Sequence, residues 1–335
     1  MTNATLSVSG AMARSANPKM NLRRGILCSL VAGGAALPLF VEPTSFVLIL
    51  ASHALVAGLF GLSLDMLLGT TGMISFGHAG WYGLGAYTAG ITAKSLSPDI
   101  FVAIAAAMVV VAIVAAAVGA VLVRQMGKAF AILTLALSQI MYTAVFLAPS
   151  ITGGEDGLQA IPPPTFFGTP IIEFRSWYWI LYGIVIVATV LALVCRKTPL
   201  GEAWAAIREN QERARFIGID VNSLKLISYV VSAAMAGAAG ALFAFFNGSV
   251  TPELVHWAES GKVMMYVILG GVGTFIGPVL GAGVFTVAQH YISSFAGEWM
   301  IYFGVLMIVL VLFAPRGIYG LFNRLGKREE QGGEA

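Results

Sequence analysis

Long apolar runs, most of them near the ~20 residues that a bilayer-spanning helix needs, recur along almost the whole chain and are separated by short polar breaks. They cover residues 25–41, 46–68, 73–93, 100–123, 130–148, 177–195, 224–246 and 299–314, and a glycine-rich apolar stretch at 263–291 has room for two helices. The pattern predicts an all-α polytopic integral membrane protein with about ten transmembrane helices. Eight spans fit the same parity if 73–93 and one of the glycine-rich helices are re-entrant. A membrane β-barrel is excluded, because its strands alternate polar and apolar positions in segments of about ten residues.

Composition agrees and removes other classes. Of 335 residues, 58% are hydrophobic and 10% are charged, and the mean hydropathy is +0.85. Soluble domains carry about 25% charged residues, so the bilayer is the solvent for most of this chain. The net charge of +3 comes with no basic cluster interleaved with aromatics, and nucleic acid is therefore not an expected partner. Cys28 and Cys195 both belong to apolar runs and read as small apolar filler.

Charge placement orients the chain. Sixteen of the nineteen Lys and Arg residues fall before the first run, at Arg124 and Lys128, between Arg196 and Lys225, or in the tail from Arg316 onward. With strictly alternating spans all of these lie on one face, the cytoplasmic face by the positive-inside rule, and both termini lie there too. Lys94, Arg175 and Lys262 are the exceptions. The chain thus divides into a cytoplasmic tail at 1–24, a transmembrane domain at 25–314 and a cytoplasmic tail at 315–335. The basic start before an apolar run imitates a signal peptide, but Pro38, Glu42 and Pro43 and the lack of a small-x-small site predict an uncleaved first span.

Two connections are long enough to do more than connect. The outer loop, 149–176, contains Gly153, Gly154 and Gly157 and then three consecutive prolines from Pro162, and is expected to form an ordered external cap. The inner connection, 196–223, reads as one helix over 199–218, with Thr198 as N-cap, Pro199 at the first helical position and Gly218 as its stop. Ala203, Ile207, Ala214 and Ile217 fall near one face of it. Such a helix can lie on lipid or dock a soluble partner.

The candidate chemistry is sparse. Asp65 is the one acidic residue inside an apolar run, and its neighbours suggest a polar group bonded between helix ends. The histidines have no metal-ligand spacing. No Gly-Lys pair is followed by Ser or Thr, so a P-loop is absent and any ATP would have to be bound by another polypeptide. Glycine, 39 in all, clusters at 69–85 and at 270–283. Gly69-x-x-Gly72 and Gly270-x-x-Gly273 hint at an internal repeat, and broken helices of this kind can line a translocation path.

The stretches from Gly69 to Tyr87, Thr152 to Leu158, Pro199 to Ile219, Gly270 to Ala282 and Pro315 to Leu321 together resemble the LivM/LivH inner-membrane permeases of branched-chain amino acid ABC importers, the LivM type in particular. The resemblance spans nearly all of the chain after residue 46. It implies the ABC importer permease fold in a bacterial inner membrane. The partners it implies are a second homologous permease, two cytoplasmic subunits that bind ATP and Mg, and an external solute-binding protein; no cofactor is implied in this chain. It makes the inner loop a coupling helix, with Glu202, Ala203, Ile207, Arg208, Glu209 and Gly218 as contact residues. It makes the glycine-punctuated segments a substrate path that includes Gly72, Ser75, Gly77, His78, Tyr87, Gly273 and Gly277. The glycines of the outer loop and the 247–261 loop would then meet the receptor. Relatives of this type also resemble importers of urea and short amides, and a self-sufficient secondary transporter using Asp65 is the rival class.

Overall fold

The computed structural model describes residues 33–42, 46–125, 127–295 and scattered positions between 301 and 320. The expected N-terminal tail, most of the C-terminal one, and much of the expected first and last spans lie outside the described residues; positions 33–40 are helical. The main helices are α1 (Phe46–Thr71), α2 (His78–Ser95), α3 (Ile100–Leu122), α4 (Lys128–Phe146), α5 (Phe174–Cys195), α6 (Pro199–Glu209), α7 (Gln211–Phe216), α8 (Val221–Asn247), α9 (Trp257–Gly270) and α10 (Gly277–Phe295). A two-stranded hairpin, β1 (Thr165–Phe166) with β2 (Thr169–Pro170), sits in the 149–176 loop.

Among the described residues five helices, α1, α3, α4, α5 and α8, are long and apolar enough to cross a membrane. They divide into two kinds. In α1 and α8 more than half of the apolar window is buried inside the protein (56% and 67%), whereas in α3, α4 and α5 it is 28% or less. The first pair is therefore the core, and the other three turn apolar side chains such as Ile113, Ile140 and Leu191 outward. Helix α3 shows how sequence sets that division. Its buried positions Ala103, Ala107, Val111, Ala115 and Gly119 recur every four residues and form one narrow stripe of mostly small side chains.

The core helices approach at glycine. A methyl at Gly240 of α8 would fall inside the Tyr82 carbonyl oxygen of α2, and one at Gly85 would fall on the backbone of Gly237. The Ser232–Leu242 stretch of small residues is thus the seam between α2 and α8.

Three sequence expectations change. The run at 73–93 is not one helix: Gly72 turns at φ +75°, residues 72–77 are non-helical, and α2 begins only at His78. This break is sustained because α4 supplies an acceptor, with Phe76 N donating to Thr134 Oγ1 at 3.1 Å. The glycine-rich stretch does hold two helices, but α9 has 14 residues, a length of about 21 Å against a hydrocarbon core of about 30 Å. The inner helix is also broken. Asn210 is extended and its Oδ1 accepts from Arg213 N at 2.9 Å, so it ends α6 and caps α7.

Asp220 caps α8 in the same way, accepting from Ser223 N and from Ser223 Oγ at 2.6 Å. The Ser223 hydroxyl holds the Asp220 carboxyl below its ordinary range. A lowered carboxyl stabilises the fold above its unfolded value and stops doing so as pH falls through the folded one. The amides of the first turn of α8 should accordingly exchange hydrogen faster in Asp220→Ala at neutral pH, and in the parent chain only when the carboxyl is protonated. Equal exchange in both chains at neutral pH would show that the cap contributes nothing.

Candidate functional site

The two glycine motifs that hinted at a repeat are repeated in form and touch in space. Each ends a helix, α1 or α9, and is followed by six non-helical residues, 72–77 or 271–276, and then a new helix, α2 or α10. A Cβ on Gly69 would stand 2.8 Å from the Cα of Gly273.

The 271–276 turn is held by a carboxylate. Asp65 is fully buried on α1, and its Oδ1 accepts from Gly273 N at 2.6 Å while its Oδ2 accepts from Phe275 N at 3.0 Å. Two basic residues, Arg196 in the α5–α6 connection and Arg208 on α6, complete the junction. Arg196 Nη1 donates to the Gly273 carbonyl at 3.1 Å, and its guanidinium lies over the Phe275 ring at 5.9 Å. Arg208 Nη1 donates to the Gly69 carbonyl, and its stem passes Gly72, where a Cβ would stand 3.2 Å from Arg208 Cγ. One short helix outside the span candidates, α6, together with the turn before it, is therefore tied to the end of α1 and to the turn after α9 by charge-assisted hydrogen bonds. Its underside is anchored by Trp204 and Ile207, both buried, with Trp204 Nε1 donating to the Leu224 carbonyl at 2.8 Å.

Opposite that anchored face lies exposed surface. Glu202, Glu209 and Gly218 are exposed and Ala203 is half-buried. Ile217 departs from the expected apolar face: it is 72% exposed beside Phe216 at 90%. The break at Asn210 leaves a short α7 that ends at Phe216, so Ala214 stays buried while Ile217 lies past the helix that a continuous stripe would need. Phe216 and Ile217 thus form an apolar knob flanked by Arg213 and Arg215.

Further along α1 lies a buried polar layer. Ser63 Oγ and His78 Nε2 are 2.9 Å apart, Ala79 N donates to Ser260 Oγ at 2.9 Å, and Ser232 Oγ donates to the Ser63 carbonyl at 2.5 Å. This layer joins α1, α2, α8 and α9. Beyond it Phe60 stacks on Tyr82 with ring centroids 4.3 Å apart. Past this aromatic pair opens a cavity of about 300 Å³ between α1, α9 and α10.

The residues expected to form a path sit at other levels. Ser75 is buried and accepts from Gly77 N at 3.3 Å. Gly77 abuts the Thr134 backbone, and Gly277 abuts Gly270 and Thr274. His78 belongs to the polar layer, Tyr87 is buried in α2, and Gly72 and Gly273 belong to the basic-end junction. None of the seven lines the cavity; their glycines serve close approach. What sequence reading missed is on the cavity wall: Thr286, Gln289, His290 and Ser293 follow helical spacing along α10 and form one polar stripe.

At the far end the 149–176 loop is folded against the bundle. Gly153, Gly154 and Gly157 all take positive φ, and Leu158 pairs with Val250 through N–H···O bonds of 2.8 and 2.9 Å. Lys94 donates to the Gln159 carbonyl, and Arg175 Nη2 to the Val41 carbonyl at 3.2 Å. Two of the three basic residues away from the basic end thus pin loops.

Residues 46–315 match the family model described as "Branched-chain amino acid transport system / permease component". The chain is 30% identical over 292 residues to the high-affinity branched-chain amino acid transport system permease protein LivM of Salmonella typhimurium, covering 80% of this chain and 69% of that protein. Over 295 residues it is equally similar to LivM of Escherichia coli. It is 28% identical to the permease protein BraD of Pseudomonas aeruginosa over 81% of this chain and 92% of that one. No solved structure matches the chain.

Proposed function

The chain belongs to the permease family of branched-chain amino acid transport systems, and from that premise we propose that it is one of two homologous membrane subunits of an ATP-driven importer of aliphatic amino acids. The basic end faces the cytoplasm of a bacterial inner membrane. Separate subunits bind and hydrolyse ATP there, and an external solute-binding protein docks on the 149–176 and 247–261 loops at the opposite end. The chain itself catalyses no reaction; it transmits motion and offers a path.

What carries the reading is the junction at α6. In an importer driven from outside the membrane, force must enter through a rigid element and reach the helices that part. Arg208 and Arg196 give α6 and its connection direct hydrogen bonds to the end of α1 and to the turn after α9. The Phe216–Ile217 knob gives a soluble subunit something apolar to grip, and exposed apolar anchors of this kind dominate many interfaces.

The two functions are separable by mutation. Phe216→Asp with Ile217→Asp should remove co-purification of the ATPase subunits and reduce uptake about ten-fold or more. Arg208→Gln should keep the ATPases bound while lowering uptake per ATP hydrolysed. Both sets behaving as the parent in a reconstituted complex would refute the coupling role. Uptake by this chain alone in proteoliposomes would instead establish a self-sufficient transporter.

A further inference from the structure

The cavity beyond the Phe60–Tyr82 stack is built from two chemically different walls. On one side lie Val56, Phe60, Phe243 and Leu254, an aliphatic and aromatic surface. On the other lie the α10 stripe, Thr286, Gln289, His290 and Ser293, and Glu259 from α9. Glu259 is ion-paired to Lys262 one turn along, with Nζ to Oε1 at 2.5 Å, and both side chains are about a quarter exposed (24% and 25%). Lys262 is the last of the three basic residues away from the basic end.

Glu259 lies in the first turn of α9, and the amide, imidazole and hydroxyls of the α10 stripe are polar groups of the kind a bilayer protein retains mainly where they line a path or a site. At about 300 Å³ the cavity sits at the lower limit of the roughly 300–1,000 Å³ typical of small-molecule sites. Only a small ligand fits. A neutral amide would use the polar wall and leave the apolar one idle, a simple cation would engage Glu259 alone, and a simple anion would meet the Glu259 carboxylate. A zwitterion with an aliphatic side chain engages Glu259, the α10 stripe and the apolar wall together.

We propose that this cavity is a transit site for aliphatic α-amino acids, in which the Glu259 carboxylate receives the ammonium group, the hydroxyl and amide donors of the α10 stripe receive the carboxylate and the Val56–Phe60–Leu254 wall receives the side chain. The proposal rests on the importer reading above and adds to it the place and chemistry of the site. The Phe60–Tyr82 stack is the floor that must part before the ligand meets the Ser63–His78 layer.

Two measurements on the assembled transporter in proteoliposomes test it. The first reads occupancy without relying on coupling: in a Cys28→Ser/Cys195→Ser chain carrying Ala57→Cys, N-ethylmaleimide reports access to the cavity wall. Saturating leucine should slow that alkylation several-fold, and urea should not. The second is uptake: Glu259→Gln should reduce leucine uptake by about ten-fold or more, the size expected when a charge-assisted contact to a ligand is removed, while receptor-stimulated ATP hydrolysis persists. Leucine that fails to protect Ala57→Cys, in a complex whose parent form imports leucine, overturns the site and leaves the importer reading standing. Protection by urea in place of leucine overturns the ligand class. A parent complex that imports no amino acid sinks the importer reading, and alkylation then still reports whether the cavity holds leucine.

Discussion

Gly240→Leu should leave almost no assembled permease in the membrane, whereas Gly183→Leu should be recovered at the level of the parent chain. The contrast follows from what each glycine faces. Beyond Gly240 the Tyr82 carbonyl and the Ala86 amide of α2 occupy the space of a Cβ, and beyond Gly183 nothing lies within 4 Å. A crowded side chain can change rotamer; backbone cannot, so α2 and α8 must separate. Separation also opens the facing contact between Gly85 and Gly237, and with it the seam along which the two helices bury each other. Overpacking a core by methylenes costs about 1–3 kcal/mol where side chains can adjust, and here they have no such freedom. Gly240→Ala should therefore be already impaired, with Gly240→Leu worse. Abundance after detergent extraction, read together with elution as a single species, measures this. Equal recovery of Gly240→Leu and Gly183→Leu would mean that the two helices do not pack at that crossing.

The same contrast marks how far sequence could be read. Apolar runs located α1, α3, α4, α5 and α8 to within a few residues, because a 20-residue apolar stretch has few alternatives in water or lipid. The break before α2 was invisible to that signal, since Met73, Ile74 and Phe76 are themselves apolar and the deciding acceptor, Thr134, comes from another helix. Helix α6 was legible from Thr198 and Pro199, yet Asn210 hid its capping role inside a helical pattern. The glycine clusters announced close approach without saying to what. The cavity was not legible, because it exists only where α1, α9 and α10 converge; Thr286, Gln289, His290 and Ser293 at helical spacing were its trace in the sequence. The family, by contrast, was readable from five motifs in order, and the match over residues 46–315 bears it out.

Asp65 poses the sharpest test of how motion at α6 would reach the membrane helices, because Asp65→Leu is expected to abolish uptake without dismantling the bundle. Its carboxylate is the acceptor for two amides, Gly273 N and Phe275 N, in a turn where Phe275 itself takes φ +62°. Leaving a buried donor without its acceptor costs about 1–3 kcal/mol each, enough to release a six-residue turn but small against the packing of α1 with α8 and α10. Releasing the turn also frees the Gly273 carbonyl from Arg196 and removes the surface beside the Gly69 carbonyl on which Arg208 rests. The α6 end of the linkage would then move without carrying α9 and α10. Asp65→Asn keeps one acceptor oxygen and should fall between the two. The expected signature is unchanged extraction yield, faster amide exchange confined to 271–276, and ATP hydrolysis that continues while uptake is lost. If Asp65→Leu transports as the parent does, the turn is held by its own geometry and the force must travel from α6 by another route.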